Sequence, residues 1–131
     1  MMIAHGVDLV DILSTARLLD DPNDQFLARC FTIQEQASVA NGGDRAARLS
    51  GRFAVKEAVM KALGTGFGAG VGFLDIETVT QVSGAPTIVL HGEAKRRAEA
   101  LAISHWLVST SHEGDLAIAS VIALGDQGIP R

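Results

Sequence analysis

The sequence predicts an α+β protein in which antiparallel strands pack with one long helix and several shorter ones. Three observations carry this. Short β-prone segments come in neighbouring pairs joined by turn residues, Ser83-Gly84-Ala85-Pro86 in one case and His112-Glu113-Gly114-Asp115 in the other. The stretch from Asp44 to Leu63 is rich in Ala, Arg, Lys, Leu and Met and stops at Gly64. The strand pairs interleave with helical segments, the arrangement of an α+β fold.

Taken in order, Ile3 to Val10 reads as a short strand. Val7 and Leu9 point to one face and Gly6, Asp8 and Val10 to the other, so Asp8 is a carboxylate at the tip of an otherwise apolar element. A helix over 12–19 follows, and Asp20-Asp21-Pro22-Asn23-Asp24 is a loop by composition. Phe26 to Cys30 is a further short helix. Thr32 and Glu35 have capping-box spacing and predict a helix through Ala40, ended by Asn41-Gly42-Gly43. On the long helix, Leu49, Phe53, Ala54, Ala58, Met60 and Ala62 form an apolar side, and Gly51 lies inside it. A glycine-rich loop runs from Gly64 to Gly72. Ile76–Val82 and Thr87–Leu90 form a hairpin, Glu93 to Ala102 a helix with Ala94, Ala98 and Leu101 on one stripe, and Trp106–Ser111 and Leu116–Leu124 the last two strands.

At 131 residues, one domain spanning 1–131 is expected, long enough to bury about two-thirds of the surface of its unfolded chain. The 47% apolar and 20% charged residues are ordinary for a soluble globular protein. A net charge of −4 argues against the broad basic footprint of a nucleic-acid binder. No apolar run approaches the roughly 18 residues of a membrane span, so no membrane partner is expected. Asp8 and Asp11 interrupt what would otherwise be a signal-like start. The single Cys30 forms no internal disulfide, and no Cys and His pair has zinc spacing, which fits a reducing cytoplasm.

Chemistry concentrates in four places. Glu57 and Lys61 lie four apart on one helix face, either as a solvent-exposed pair stabilising the helix by about 0.2–0.5 kcal/mol or as a carboxylate and ammonium holding a metal and a phosphate together. The small residues Ala54, Ala58 and Ala62 beside them admit another backbone or a bulky ligand. Asp8 is either a turn former or helix cap, or half of a metal site; Asp11 is a second cap candidate. In the loop, Gly64, Gly66 and Ala69 match a relaxed dinucleotide pattern, but the loop closes a helix instead of opening one. It is a helix cap with a connector, or a loop that lets a ligand approach backbone amides. Ser109 to Asp115 reads as a polar hairpin turn or as a rim contacting phosphate or base, without the elements of a nucleophile elbow. His5, His91 and His105 have no partner at metal-ligand spacing and read as structural.

The order of these segments is specific. Gly6-Val-Asp8-Leu-Val, Arg52-Phe-Ala-Val-Lys-Glu57-Ala-Val-Met-Lys61-Ala-Leu-Gly-Thr-Gly66 and Val108-Ser-Thr-Ser-His112 closely resemble the 4′-phosphopantetheinyl transferases, in their small bacterial type, the holo-acyl-carrier-protein synthases. The resemblance covers nearly the whole chain and implies the 4′-phosphopantetheinyl transferase fold. It implies transfer of 4′-phosphopantetheine from coenzyme A to a serine of an acyl carrier protein, in fatty acid biosynthesis and in the cytoplasm. It places Asp8 and Glu57 at magnesium (Mg2+), Lys61 facing phosphate, Arg52 and His112 toward the nucleotide phosphates, and Gly64, Thr65 and Gly66 in the nucleotide loop. It also implies a homotrimer with active sites between subunits. Proton removal from the serine falls to Glu57 or to a water near the metal. The chain departs from the family in the helix after Asp8: the segment from Asp11 through Ser14 to Arg17 holds one cation, which shifts expected carrier docking toward Arg29, Arg45 and Arg48. The rivals are a broader-range transferase, usually resembling two fused copies of such a domain, and a non-catalytic trimeric module, against which intact Asp8, Glu57 and Lys61 argue.

Overall fold

The structure, a computed structural model, describes residues 1–39, 44–66 and 70–126. In chain order they form β1 (Met2–Asp11), α1 (Ile12–Asp20), α2 (Phe26–Cys30), α3 (Ile33–Ser38), α4 (Arg45–Leu63), a 3-10 turn at Phe73–Asp75, β2 (Ile76–Thr80), β3 (Pro86–Leu90), α5 (Gly92–Ala100), β4 (His105–Glu113) and β5 (Leu116–Leu124). Both sheets are antiparallel: three strands in the order β1-β5-β4, and the β2-β3 hairpin.

The long helix α4 organises the rest because it is buried on two sides. One side, through Ala54, Ala58, Val59 and Ala62, shares a core with Ala119, Val121 and Ala123 of the central strand β5. Alanines on both partners let helix and sheet approach closely. Closest is Gly6 of β1, where an added Cβ would lie 1.9 Å from the Ala58 carbonyl oxygen, so that only glycine fits. The other side packs Leu49 with Phe26, Cys30, Phe31 and Val39. Phe53 and Phe73 join that second cluster with ring centroids 4.9 Å apart. The sequence reading puts Leu49 and Phe53 on one apolar side with Ala54 and Ala58; the structure divides them between two sides, because the aromatics that complete the second come from distant segments.

Caps set most element ends. Gly64 closes α4 in the left-handed conformation at φ +74°, its N–H donating to Lys61 O at 3.0 Å. Thr32 and Glu35 form the expected capping box. Several boundaries differ from the sequence reading, among them α5, which ends at Ala100 and not Ala102 because Ala102 takes φ +62°. β4 runs on through His112 and Glu113, which pair with Ala117 and Leu116, so the turn shrinks to Gly114-Asp115, with Gly114 at φ +56°. β2 stops at Thr80, because Gln81 N–H bonds Ala85 O at 2.9 Å and closes the turn before Pro86 opens β3. α3 stops at Ser38, where the hydroxyl donates to Glu35 O at 2.8 Å; the expected end at Ala40 and the Asn41-Gly42-Gly43 stop lie outside the described residues, as do Phe67 to Ala69 of the glycine-rich loop.

The face of the three-stranded sheet turned away from α4 carries Val7, Leu9, Leu107, Leu116 and Ile118, all exposed. Among the described residues no helix is long and apolar enough to cross a membrane.

Candidate active site

The capping reading of Asp8 fails on position. Asp11 is the cap of α1: its carboxylate accepts from Leu13 N–H at 3.1 Å and Ser14 Oγ donates to it at 3.0 Å. Asp8 sits three residues earlier inside β1, on the strand face that Gly6 brings against α4. That close approach delivers Asp8, 9% exposed, to the helix turn carrying Glu57 and Lys61.

Lys61 does not lie free on the surface beside Glu57. Its Nζ donates to Asp8 Oδ1 at 3.0 Å and to the Val7 carbonyl at 2.9 Å. Glu57 adjoins the same carboxylate. Burial pushes its carboxyl up to about 7, helped by a hydrogen bond and like charge from Asp8 and opposed by Lys61. Asp8 Oδ2 is buried and receives no donor, so it is satisfied only when Glu57 carries a proton or a cation sits between the two groups. This orphaned oxygen and the paired acids fit a hard divalent ion. The described residues offer no third His, Cys, Asp or Glu to such a cluster, which suits magnesium, an ion that keeps water and phosphate oxygens among its ligands. A cleft of about 260 Å³ opens against Glu57, walled by Leu9, Leu18, Phe26 and Phe53 with Ser14 at its edge.

Arg52 and His112 come together elsewhere. Both border a second cavity of about 210 Å³, with Gly51, Thr87 and Ser111. Arg52 Nη1 donates to Ser38 Oγ at 2.6 Å. The two cavities share no lining residue, so within one copy of the chain these residues lie apart from the acidic pair. Gly64, Thr65 and Gly66 continue directly from the turn of Lys61, with Thr65 N–H bonded to Met60 O at 3.1 Å and Gly66 at φ +53°.

Residues 4–121 match the model of the 4′-phosphopantetheinyl transferase superfamily. The chain belongs to that superfamily. It is 46% identical over 121 residues to a holo-[acyl-carrier-protein] synthase of Gloeobacter violaceus, covering 92% of this chain and 91% of that protein. The crystal structure of the Neisseria meningitidis holo-[acyl-carrier-protein] synthase superposes with a TM-score of 0.83 at 32% identity, covering 95% of this chain and 99% of that one. The Helicobacter pylori synthase in complex with coenzyme A gives 0.80 at 31% identity, covering 92% and 99%. The α+β arrangement expected from the sequence is thus that of the phosphopantetheinyl transferases.

One polar cluster of this transferase went unnoticed in the sequence. Lys56, one residue before Glu57, is fully buried. Its Nζ donates to Glu35 Oε1 at 2.7 Å, to Phe73 O at 2.9 Å and to Ile76 O. Glu35 also accepts from Thr32 N–H at 2.9 Å and, on its other oxygen, from Thr78 N–H at 2.8 Å and Thr78 Oγ1 at 2.7 Å. Burial lowers the Lys56 pKa, and Glu35 opposes that shift. The available signal was Lys56 interrupting the apolar run Phe53-Ala54-Val55 before Ala58-Val59-Met60.

Proposed function

We propose that this transferase moves 4′-phosphopantetheine from coenzyme A to a serine of an apo-acyl carrier protein, in the cytoplasm and in fatty acid biosynthesis, releasing adenosine 3′,5′-bisphosphate. The observation that carries it is the convergence of Glu57 and Lys61, from one turn of α4, on the carboxylate of the distant Asp8, where Lys61 holds Oδ1 and the buried Oδ2 has no donor. Relatives named holo-[acyl-carrier-protein] synthase, some solved with coenzyme A, support the substrate pair.

Phosphoryl transfer asks the protein mainly to position groups and neutralise charge. The serine oxygen bonds to the β-phosphorus as the bond to the bridging pyrophosphate oxygen breaks; the hydroxyl proton passes to Glu57 or to a nearby water, and the electron pair of the broken bond leaves on the bisphosphate. Asp8 and Glu57 are the residues to hold magnesium, which when bound supplies charge neutralisation on the pyrophosphate. Lys61, half exposed and already beside the pair, faces the same phosphates. The apolar cleft against Glu57 offers room for the uncharged pantetheine arm. Arg52 and His112 supply cationic and donor groups for the nucleotide phosphates, and Gly64, Thr65 and Gly66 line its loop. Arg52 and His112 border a different cavity from Glu57, which supports a site completed across subunits of a homotrimer, with the exposed apolar sheet face as the contact.

Mass spectrometry tests the reading. An apo-carrier incubated with the protein, coenzyme A and magnesium is expected to gain one phosphopantetheine group, and to gain nothing when EDTA replaces the metal. No gain on any of a panel of fatty-acid, polyketide and peptide carriers would overturn it in favour of a non-catalytic module.

A further inference from the structure

The buried pair behind the acidic site is saturated in a way that surface pairs are not. An ammonium has three N–H donors and no acceptor, and all three of Lys56's are used. A carboxylate offers about four acceptor sites, and Glu35 fills four. Those bonds tie α4 to the cap of α3, to the turn at Phe73 and to β2. The ammonium also lies 5.3 Å from the centroid of the Phe31 ring. A long side chain with every donor fixed to three separate elements allows the helix neither to slide nor to turn about its axis.

Lys56, Glu57 and Ala58 are consecutive and so point about 100° apart around the helix. Lys56 is locked to α3 and β2, while Ala58 is locked against Gly6 of β1 by backbone contact. Glu57 lies between the two locks, and its direction follows from theirs. We infer that Lys56, with Glu35 as its counter-ion, is a positioning residue that fixes the rotation of α4 holding Glu57 against Asp8. This deepens the transferase reading and rests on it for the task of Glu57 and Asp8.

The test replaces both charges together, since removing one alone leaves the other buried and unpaired and endangers folding. Glu35→Leu/Lys56→Met is compared with the wild type and with Leu49→Ala. The latter opens a cavity in the second core and lowers stability without touching the network. Manganese uptake is followed by the loss of its free-ion electron-spin resonance with coenzyme A present, and the magnesium midpoint is followed in the transfer assay. The double variant is expected to need about 10- to 100-fold more metal, as removal of a ligand's supporting partner typically does, while Leu49→Ala keeps the wild-type midpoint. An unchanged midpoint in the double variant, or an equal rise in Leu49→Ala, overturns the inference. Should the double variant not fold, Thr78→Val decides: it deletes one hydroxyl bond to Glu35 and keeps the ion pair, and an unchanged midpoint there overturns the inference too. A wild-type protein that takes up manganese and transfers nothing sinks the transferase reading while leaving this comparison standing.

Discussion

Two carboxyls against one another in a half-buried site cannot both ionise cheaply, and in this protein the ammonium of Lys61 bonds Asp8 and only partly offsets the shift of Glu57. Deleting either acid therefore removes repulsion, and on the proposed mechanism it removes activity as well. Asp8→Ala and Glu57→Ala are expected to fold, with melting temperatures in EDTA no lower than wild type, while turnover falls roughly 100-fold or more; transfer at wild-type rate by either purified variant removes that residue from the site. Burial of Glu57, with the neighbouring Asp8 adding to it, gives a pH signature in the metal-free protein. Burial holds the folded Glu57 carboxyl up at about 7, above its ordinary 4.5, so between those values the folded state holds a proton that the unfolded chain has lost. Its contribution is fully present below the lower value and is lost as pH rises toward 7. Melting curves in EDTA should fall with pH over that window, and Glu57→Gln should flatten the fall. Equal slopes in both proteins would show that Glu57 is not the group responsible.

At the scale of elements, the site exists because β1 and α4 touch backbone to backbone at Gly6 and Ala58. Gly6→Ala places a methyl where the Ala58 carbonyl already stands, and the helix must retreat. A loss of about 1–3 kcal/mol or more is expected from such overpacking, together with a raised metal requirement, because Glu57 and Lys61 retreat with the helix. Wild-type melting and magnesium response in Gly6→Ala would show that the contact does not set the site. The elements themselves were largely legible in the sequence, since local signals placed them: Gly64 stops α4, Thr32 and Glu35 cap α3, and alternation on β1 put Asp8 on the face of Gly6 and Val10, opposite Val7 and Leu9. The pairing of Asp8 with Lys61 was not derivable from spacing, because it joins residues 53 apart through a helix-on-sheet contact; the family resemblance placed them in one site. Lys56 and Glu35 escaped notice for the same physical reason. A charged residue is read as exposed unless its partner is known, and the partner here was already assigned to a cap.

For the whole molecule, one copy has Glu57 at one cavity and Arg52 and His112 at another, while coenzyme A carries phosphates at both its pyrophosphate and its ribose. The uncovered sheet face adds a physical reason to associate. Leu9 and Ile118 are direct cross-strand partners on it, and with Val7, Leu107 and Leu116 they make an apolar surface that burial would stabilise. The proposed head-to-tail ring of three would let the acids of one subunit face the Arg52 and His112 cavity of the next. Sedimentation should accordingly give three times the chain mass for the wild type. Leu107→Glu/Ile118→Glu should reduce it to one and abolish most transfer, although neither residue borders either cavity. Complementation separates a shared site from mere stabilisation. Asp8→Ala and His112→Ala proteins, each nearly inactive, are unfolded, mixed in equal amounts and refolded together. If each site draws Asp8 from one subunit and His112 from its neighbour, random assembly leaves about a quarter of the sites intact, and that fraction of wild-type activity should return. A mixture no more active than its parts would mean that each subunit carries a complete site of its own.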